Sequence, residues 1–188
     1  MVRKSLFAVA VVLLAASNAQ SAGLTGSTVS GALYCCTAPT EPYRISTVVS
    51  TTVGAAIEFP VNAFSFLSGG TWDEGALDVG EATIRLDLFA GGVTNPGTFN
   101  GFVFSFVGAP AIVGATVRAG STVTPTGVSY TTDSIFINVA STPYANGNFF
   151  VVDVVTTPVP EPSVSSMLLF GLCTGAAALV RRRSRVDA

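Results

Sequence analysis

The central part of the chain, residues 23–158, contains no stretch with helical periodicity. Short runs rich in Val, Ile, Thr and Phe alternate there with Gly, Pro and Asn. Ile84, Leu86 and Leu88 are separated by Arg and Asp, which is the pattern of a strand with one buried face. The Gly, Pro and Asn positions are typical of turns between such strands. This patterning restricts the central part of the chain to an all-β fold.

About ten strands can be placed between the turn signals, at a spacing of roughly 8–15 residues. This number and spacing favour one antiparallel β-sandwich of the jelly-roll or Greek-key type, with aromatic side chains filling the space between two sheets. We expect this domain to span residues 23–158. The predicted strands are residues 24–33, 43–51, 55–59, 63–67, 75–79, 82–89, 98–106, 112–118, 134–139 and 149–156.

Residues 1–22 have the layout of a secretory signal peptide, which predicts an N-terminal signal helix. A positive start at Arg3 and Lys4 precedes an apolar run of about eleven residues, which is too short to cross a bilayer. Small residues lead up to Ala19, so we predict cleavage after that residue, with positions two or three residues further on as alternatives. An uncleaved N-terminal anchor is the competing interpretation.

The other end of the chain carries a second apolar run, residues 163–180, with no charged residue. As a helix its roughly 18 residues would measure about 27 Å, at the short end of what crosses a bilayer. Pro160 and Pro162 flank Glu161 directly before it and favour extended backbone, so we predict a single transmembrane helix that begins after Pro162. A basic tail, 181–188, then holds the end of the chain in the cytoplasm. Its arginines are Arg181, Arg182, Arg183 and Arg185.

In this order, at the C-terminus, the three parts resemble the PEP-CTERM sorting signal of Gram-negative bacteria, which would here occupy residues 159–188. The competing interpretation is an ordinary membrane anchor preceded by a chance Pro-Glu-Pro at 160–162. The resemblance implies recognition and cleavage by an exosortase, a membrane-embedded processing enzyme. It implies export, anchoring in the inner membrane before processing, and delivery to the cell surface or extracellular matrix. Such proteins often accompany exopolysaccharide, which makes that polymer a candidate partner.

Charge is distributed unevenly along the chain. Between residues 20 and 159 there are nine acidic residues but only three basic ones, Arg44, Arg85 and Arg118. The exported part therefore carries a net charge of about −6, which disfavours nucleic acid and anionic lipid as partners. We expect each of the three arginines to pair with an acidic side chain at the surface.

The three cysteines carry little functional information. Cys173 lies in the predicted membrane helix, whereas Cys35 and Cys36 are adjacent. Neighbouring cysteines can close a vicinal disulfide in an oxidising compartment, and an intermolecular link or two free thiols are the alternatives. A metal site at this pair is disfavoured because the chain has no histidine to complete one.

One short segment, residues 72–81, concentrates acidic side chains around the only tryptophan. Several carboxylates in a loop could bind calcium, although the spacing matches no EF-hand, and a solvated acidic loop is the alternative. The tryptophan could be an exposed platform for a sugar ring, or a packed aromatic of the core. The candidate ligand or calcium site consists of Trp72, Asp73, Glu74, Asp78 and Glu81.

The absence of histidine excludes the usual Ser-His-Asp and Cys-His nucleophiles and histidine-based zinc sites. A glycosidase would need two acids roughly 5–10 Å apart in a cleft. We predict instead a non-enzymatic protein without a cofactor, calcium aside. Its exported part is expected to be structural or adhesive, and the alternative function is a carbohydrate-binding module for exopolysaccharide.

Overall fold

The computed structural model describes residues 23–158. The regular secondary structure in that range consists of β-strands alone. All strand pairs are antiparallel, so the prediction of an all-β, antiparallel fold is confirmed. The strands are β1 (Thr28–Cys35), β2 (Val49–Thr52), β3 (Gly75–Val79), β4 (Thr83–Leu88), β5 (Gly92–Val93), β6 (Asn100–Val107), β7 (Ile112–Val117), β8 (Gly127–Tyr130), β9 (Ser134–Asn138), β10 (Pro143–Tyr144) and β11 (Phe149–Thr156).

The larger sheet has five strands in the order β2-β1-β6-β9-β8. Strand β6 is its centre and pairs with β1 on one side and β9 on the other. Phe102, Phe104 and Phe106 of β6 are buried, whereas Ser105 and Val107 are exposed. This alternation follows from the two-residue period of a strand, and it turns a row of three aromatic rings toward the core.

The second sheet has four strands in the order β3-β4-β11-β7. In β4, Ile84, Leu86 and Leu88 are buried while Arg85 and Asp87 are half-buried, as the alternation predicts. The two-residue strands β5 and β10 form a small separate pair, in which Pro143 opposes Val93 and Tyr144 opposes Gly92.

Buried side chains from both large sheets belong to one hydrophobic cluster. Aromatic rings form a continuous series within it: Phe59 lies 5.2 Å from Phe64 and 5.6 Å from Phe104, and Trp72 lies 5.4 Å from Phe102, between ring centroids. The finer description of the fold as a jelly-roll or Greek-key β-sandwich stays a prediction.

A glycine makes room for this aromatic packing. A Cβ atom at Gly31 in β1 would lie 2.9 Å from a ring carbon of Phe59 and 3.1 Å from one of Phe104. The absence of a side chain at Gly31 lets both rings approach the β1 backbone.

Two predicted strands are not strands in the structure. Residues 55–59 and 63–67 form only isolated bridges, such as Phe59 with Leu77 and Ser65 with Thr71. Pro60 interrupts this region, and the Phe59 and Phe64 side chains both pack into the core. The first strand starts at Thr28 instead of residue 24, because the chain turns at Gly26, whose φ is +84°. Strands β5, β8 and β10 were not predicted.

The predicted signal helix, the Pro-Glu-Pro motif and the predicted transmembrane helix lie outside the described residues. Within residues 23–158, no helix of a length and apolarity suited to crossing a bilayer is found.

The central position of Phe104 leads to a stability prediction. Replacing this fully buried ring by alanine is expected to lower the free energy of unfolding by about 3–5 kcal/mol, because transfer and cavity costs add. Urea unfolding followed by tryptophan fluorescence measures the change. The matched control is Phe89→Ala, at a ring that is 52 % exposed, where a change within about 0.5 kcal/mol is expected. Equal losses in the two variants would contradict the assigned core.

Candidate functional site

A cleft of about 260 Å³ opens at one end of the larger sheet. The end of β1, the start of β6 and the residue after β9 meet there, because these neighbouring strands are antiparallel. Its apolar floor consists of Leu33, Ile45, Phe66, Trp72 and Phe102. Its polar rim consists of Asp73, Glu74, Thr94, Asn95, Asn100 and Tyr144. The cleft thus combines three residues of the candidate site with groups that the sequence did not single out.

Trp72 is not the exposed platform that one interpretation of the sequence predicted. The residue is 7 % exposed, and its ring packs edge-on against Phe102 and obliquely against Phe64, 6.1 Å between centroids. The backbone N–H of Trp72 donates to the backbone carbonyl of Phe64 at 2.8 Å, which holds this part of the chain beside Phe64. Burying an indole among aromatic rings stabilises the fold more than exposing it would. Trp72 contributes to the cleft only as part of its floor.

Asp73 and Glu74 follow Trp72 directly and lie at the rim of the cleft. Burial, together with the hydrogen bond to and the negative charge of the Glu74 carboxylate, raises the pKa of the Tyr144 hydroxyl to about 12. Gly92 allows this position of Tyr144, since a Cβ at residue 92 would lie 2.9 Å from the tyrosine oxygen. The pair of Glu74 and Tyr144 therefore joins the loop after Trp72 to β10.

The other two acids of the candidate site lie elsewhere. Asp78 is on β3, where burial and the neighbouring Glu58 carboxylate raise its pKa. Glu58 itself accepts hydrogen bonds from the backbone N–H groups of Gly54 and Val79, both at 2.8 Å. Glu81 is exposed in the turn between β3 and β4.

The four acidic side chains of the candidate site are not gathered into one group in the structure. Within residues 23–158, no group of three or more Asp, Glu, His or Cys side chains is arranged to hold a metal ion. Strand β3 spaces the four acids apart along the chain. Asp73 and Glu74 precede the strand, Asp78 lies within it, and Glu81 follows its end.

The rim of the cleft is held by hydrogen bonds between loops. The backbone carbonyl of Asn95 accepts from the Ser141 N–H at 3.2 Å and from the side-chain amide of Asn100 at 3.0 Å. The Thr94 hydroxyl accepts from the Thr142 N–H at 2.9 Å and donates to the Val139 carbonyl. The loops that carry the polar rim are therefore tied to each other in the folded chain.

A smaller cavity of about 40 Å³ shares part of this lining, including Trp72, Glu74, Phe102 and Tyr144. Its other walls are mostly apolar and come from β4, β11 and neighbouring loops. Thr142 also lines it, and the Thr142 Oγ1 atom is buried without a hydrogen-bond partner among the described residues. A buried hydroxyl without a partner costs free energy, so it marks a place where a ligand group or water could contribute.

Cys35 and Cys36 are linked as a vicinal disulfide in the structure, one of the three states considered from the sequence. The peptide between them is cis. Cys35 pairs with Asn100, a residue of the cleft rim, across the β1–β6 ladder.

The three arginines of the described chain all pair with acids, as expected. Arg44 contacts Glu41, Arg118 contacts Asp153, and Arg85 contacts Asp87 at 2.6 Å. None of these arginines lines the cleft, whose charged side chains are the carboxylates of Asp73 and Glu74.

Comparison with protein families identifies the C-terminal segment. A family model of the PEP-CTERM protein-sorting motif matches residues 158–184. The chain carries a PEP-CTERM sorting signal. The match includes the Pro-Glu-Pro at 160–162 and confirms the resemblance seen in the sequence. It implies export, recognition by an exosortase-type enzyme and membrane-associated processing. Comparisons with curated proteins and with solved structures gave no match.

Because of Tyr144, the free energy of unfolding should vary with pH in the alkaline range. Its folded-state pKa of about 12 exceeds the ordinary value of 10.0, so the protonated phenol is favoured by folding. This contribution is fully present below pH 10.0 and is lost as pH rises through about 12. In Tyr144→Phe we expect a shallower loss of unfolding free energy over that interval, measured by denaturant titrations. Parallel pH profiles of the variant and the wild type would contradict the placement of this hydroxyl.

Because of Asp78, the free energy of unfolding should also fall as pH rises, but in the acidic range. Its folded-state pKa lies above the ordinary value of 3.8, so its contribution to stability is present at low pH and is lost as pH rises through the folded-state pKa. Asn at this position cannot ionise and can still donate a hydrogen bond to Glu58. We expect the unfolding temperature of Asp78→Asn, relative to the wild type, to increase as pH is raised from acid to neutral. A difference that is constant with pH would argue against coupling between the two carboxyls.

Proposed function

We propose that this protein is an exported surface or extracellular-matrix protein that an exosortase-type enzyme processes at its C-terminal signal. The match to the PEP-CTERM motif at residues 158–184 carries this proposal. The signal-peptide pattern of residues 1–22 supports it, since both ends then place residues 23–158 outside the cytoplasm. The inner membrane holds the chain until the tail is cut.

We further propose that residues 23–158 form a β-sandwich with a structural or adhesive role and no enzymatic activity. The common hydrophobic cluster of the two large sheets supports the sandwich architecture. Two of the acids that could serve a glycosidase are already engaged, because Glu58 accepts hydrogen bonds from backbone N–H groups and Asp87 pairs with Arg85. Residues 23–158 contain few charged residues, which favours a structural or adhesive role.

A carbohydrate-binding role is the second candidate function, and the cleft is the observation that favours it. Asp73 and Glu74 lie there with Tyr144 and two asparagines around an aromatic floor. Aromatic surface next to convergent polar groups is the usual composition of a small-molecule binding site. Exopolysaccharide is the candidate source of the ligand.

The sorting proposal is tested at the motif. Replacing Pro160, Glu161 and Pro162 together by alanine should leave export intact and abolish C-terminal processing, because the enzyme would no longer recognise its signal. Mass spectrometry of the chain isolated from cells reports both termini. The control is Pro125→Ala, in the exported domain, which should be processed like the wild type. Normal processing of the triple variant would refute the sorting role.

A further inference from the structure

We propose that the cleft binds a single neutral sugar residue, with one hydroxyl or hydroxymethyl group directed into the smaller cavity toward Thr142. This inference rests on the second candidate function above and assigns it a ligand class and a set of contacts. It does not depend on how the C-terminal signal is processed.

The two sides of the cleft match the two chemical surfaces of a sugar ring. The half-buried Ile45 and Phe66 provide apolar surface for the C–H groups, and the rim provides acceptors and donors for hydroxyl groups. Among the hydrogen bonds of the described residues, none involves the Asp73 carboxylate or the side-chain amide of Asn95. Both groups are therefore available to a ligand.

Charge selects against acidic ligands. The charged groups of the cleft are the carboxylates of Asp73 and Glu74, and the arginines of residues 23–158 are paired with acids away from it. A uronate or a phosphorylated sugar would bring a like charge against these carboxylates without a cation to compensate. A neutral sugar, by contrast, can donate its hydroxyl protons to them.

Thr142 supplies an independent indication of a ligand. The residue is 6 % exposed and lines the smaller cavity, and its Oγ1 has no partner within the described part of the chain. A cavity of about 40 Å³ exceeds the roughly 10–15 Å³ that one water molecule requires, so a hydroxyl or hydroxymethyl group fits it. A ligand hydroxyl placed there would provide the missing hydrogen bond.

The size of the cleft limits the ligand. At about 260 Å³ it lies below the usual volume of roughly 300–1,000 Å³ for drug-sized molecules, which favours one sugar residue over a longer chain. Few atoms then contribute to binding, so we expect a dissociation constant on the order of 1 mM for a monosaccharide. Many weak sites on a crowded surface would still give firm attachment to a repeating polymer.

Trp72 allows a direct test, because it is the only tryptophan of the chain and lines both cavities. The full-length protein is purified in a detergent without a sugar headgroup and titrated with methyl glucoside, methyl galactoside and methyl mannoside. We expect at least one of them to change the Trp72 emission saturably in the millimolar range. Glucuronic acid should give no saturable change at the same concentrations.

Variants separate a binding role from a structural one. Thr142→Val keeps the shape of the side chain and removes the unpartnered hydroxyl, so the unfolding temperature should be equal or higher while sugar affinity falls roughly 3- to 10-fold. Asp73→Asn removes one charge at the rim and should weaken binding by a similar factor. The matched control, Glu81→Gln, removes a charge outside the cleft and should bind like the wild type.

Three outcomes would overturn the proposal. They are the absence of a saturable response to every neutral sugar, equal affinity in the wild type and in Thr142→Val, and binding of glucuronic acid at least as tight as that of the neutral sugars. C-terminal processing is measured on the same preparations. Normal processing without sugar binding would reject the sugar site alone, whereas sugar binding without processing would reject the sorting role alone.

Discussion

The packing of aromatic rings against the central strand β6 is the interaction on which the rest of the structure depends. Phe102 and Phe104 project from β6 and meet Phe59, Phe64 and Trp72, which come from the long connection before β3. This connection has no strand of its own, yet its rings are buried as deeply as those of the sheets. The aromatic contacts therefore determine the path of the connection, and its last residues become one wall of the cleft.

The same packing explains why, of the two interpretations of Trp72, the packed aromatic of the core is confirmed and the exposed platform is wrong. The position of a tryptophan beside acidic residues is visible in the sequence, and the cleft does contain Trp72, Asp73 and Glu74. Its exposure is decided by Phe64 and Phe102, and the latter lies on a distant strand. Local sequence carries no information about such a partner, so the segment alone could not decide whether the Trp72 side chain is buried or exposed.

Strands with sustained alternation were predictable from the sequence. The two-residue strands and the extended connection before β3 were not. The alternation of β4 predicted both its conformation and its buried face, and the strand predicted at residues 98–106 coincides with β6 to within two residues. Strands β5 and β10 have two residues each, too few for any period, and their pairing depends on the register of the chain around them. Asn95, Thr142 and Tyr144 join the cleft through contacts between loops, which have no local signature.

The position of the last strand has a mechanical consequence for any force applied through the C-terminal end of residues 23–158. Strand β11 ends at Thr156, and the match to the sorting motif begins two residues later along the sequence, at residue 158. Moreover, β11 is an interior strand, paired with β4 on one side and β7 on the other. Tension transmitted through the tail, as in flowing liquid, would enter the sheet at a strand with two neighbours. Both sets of interstrand hydrogen bonds must then yield before the strand can be pulled out, whereas a strand at the edge would be held by only one.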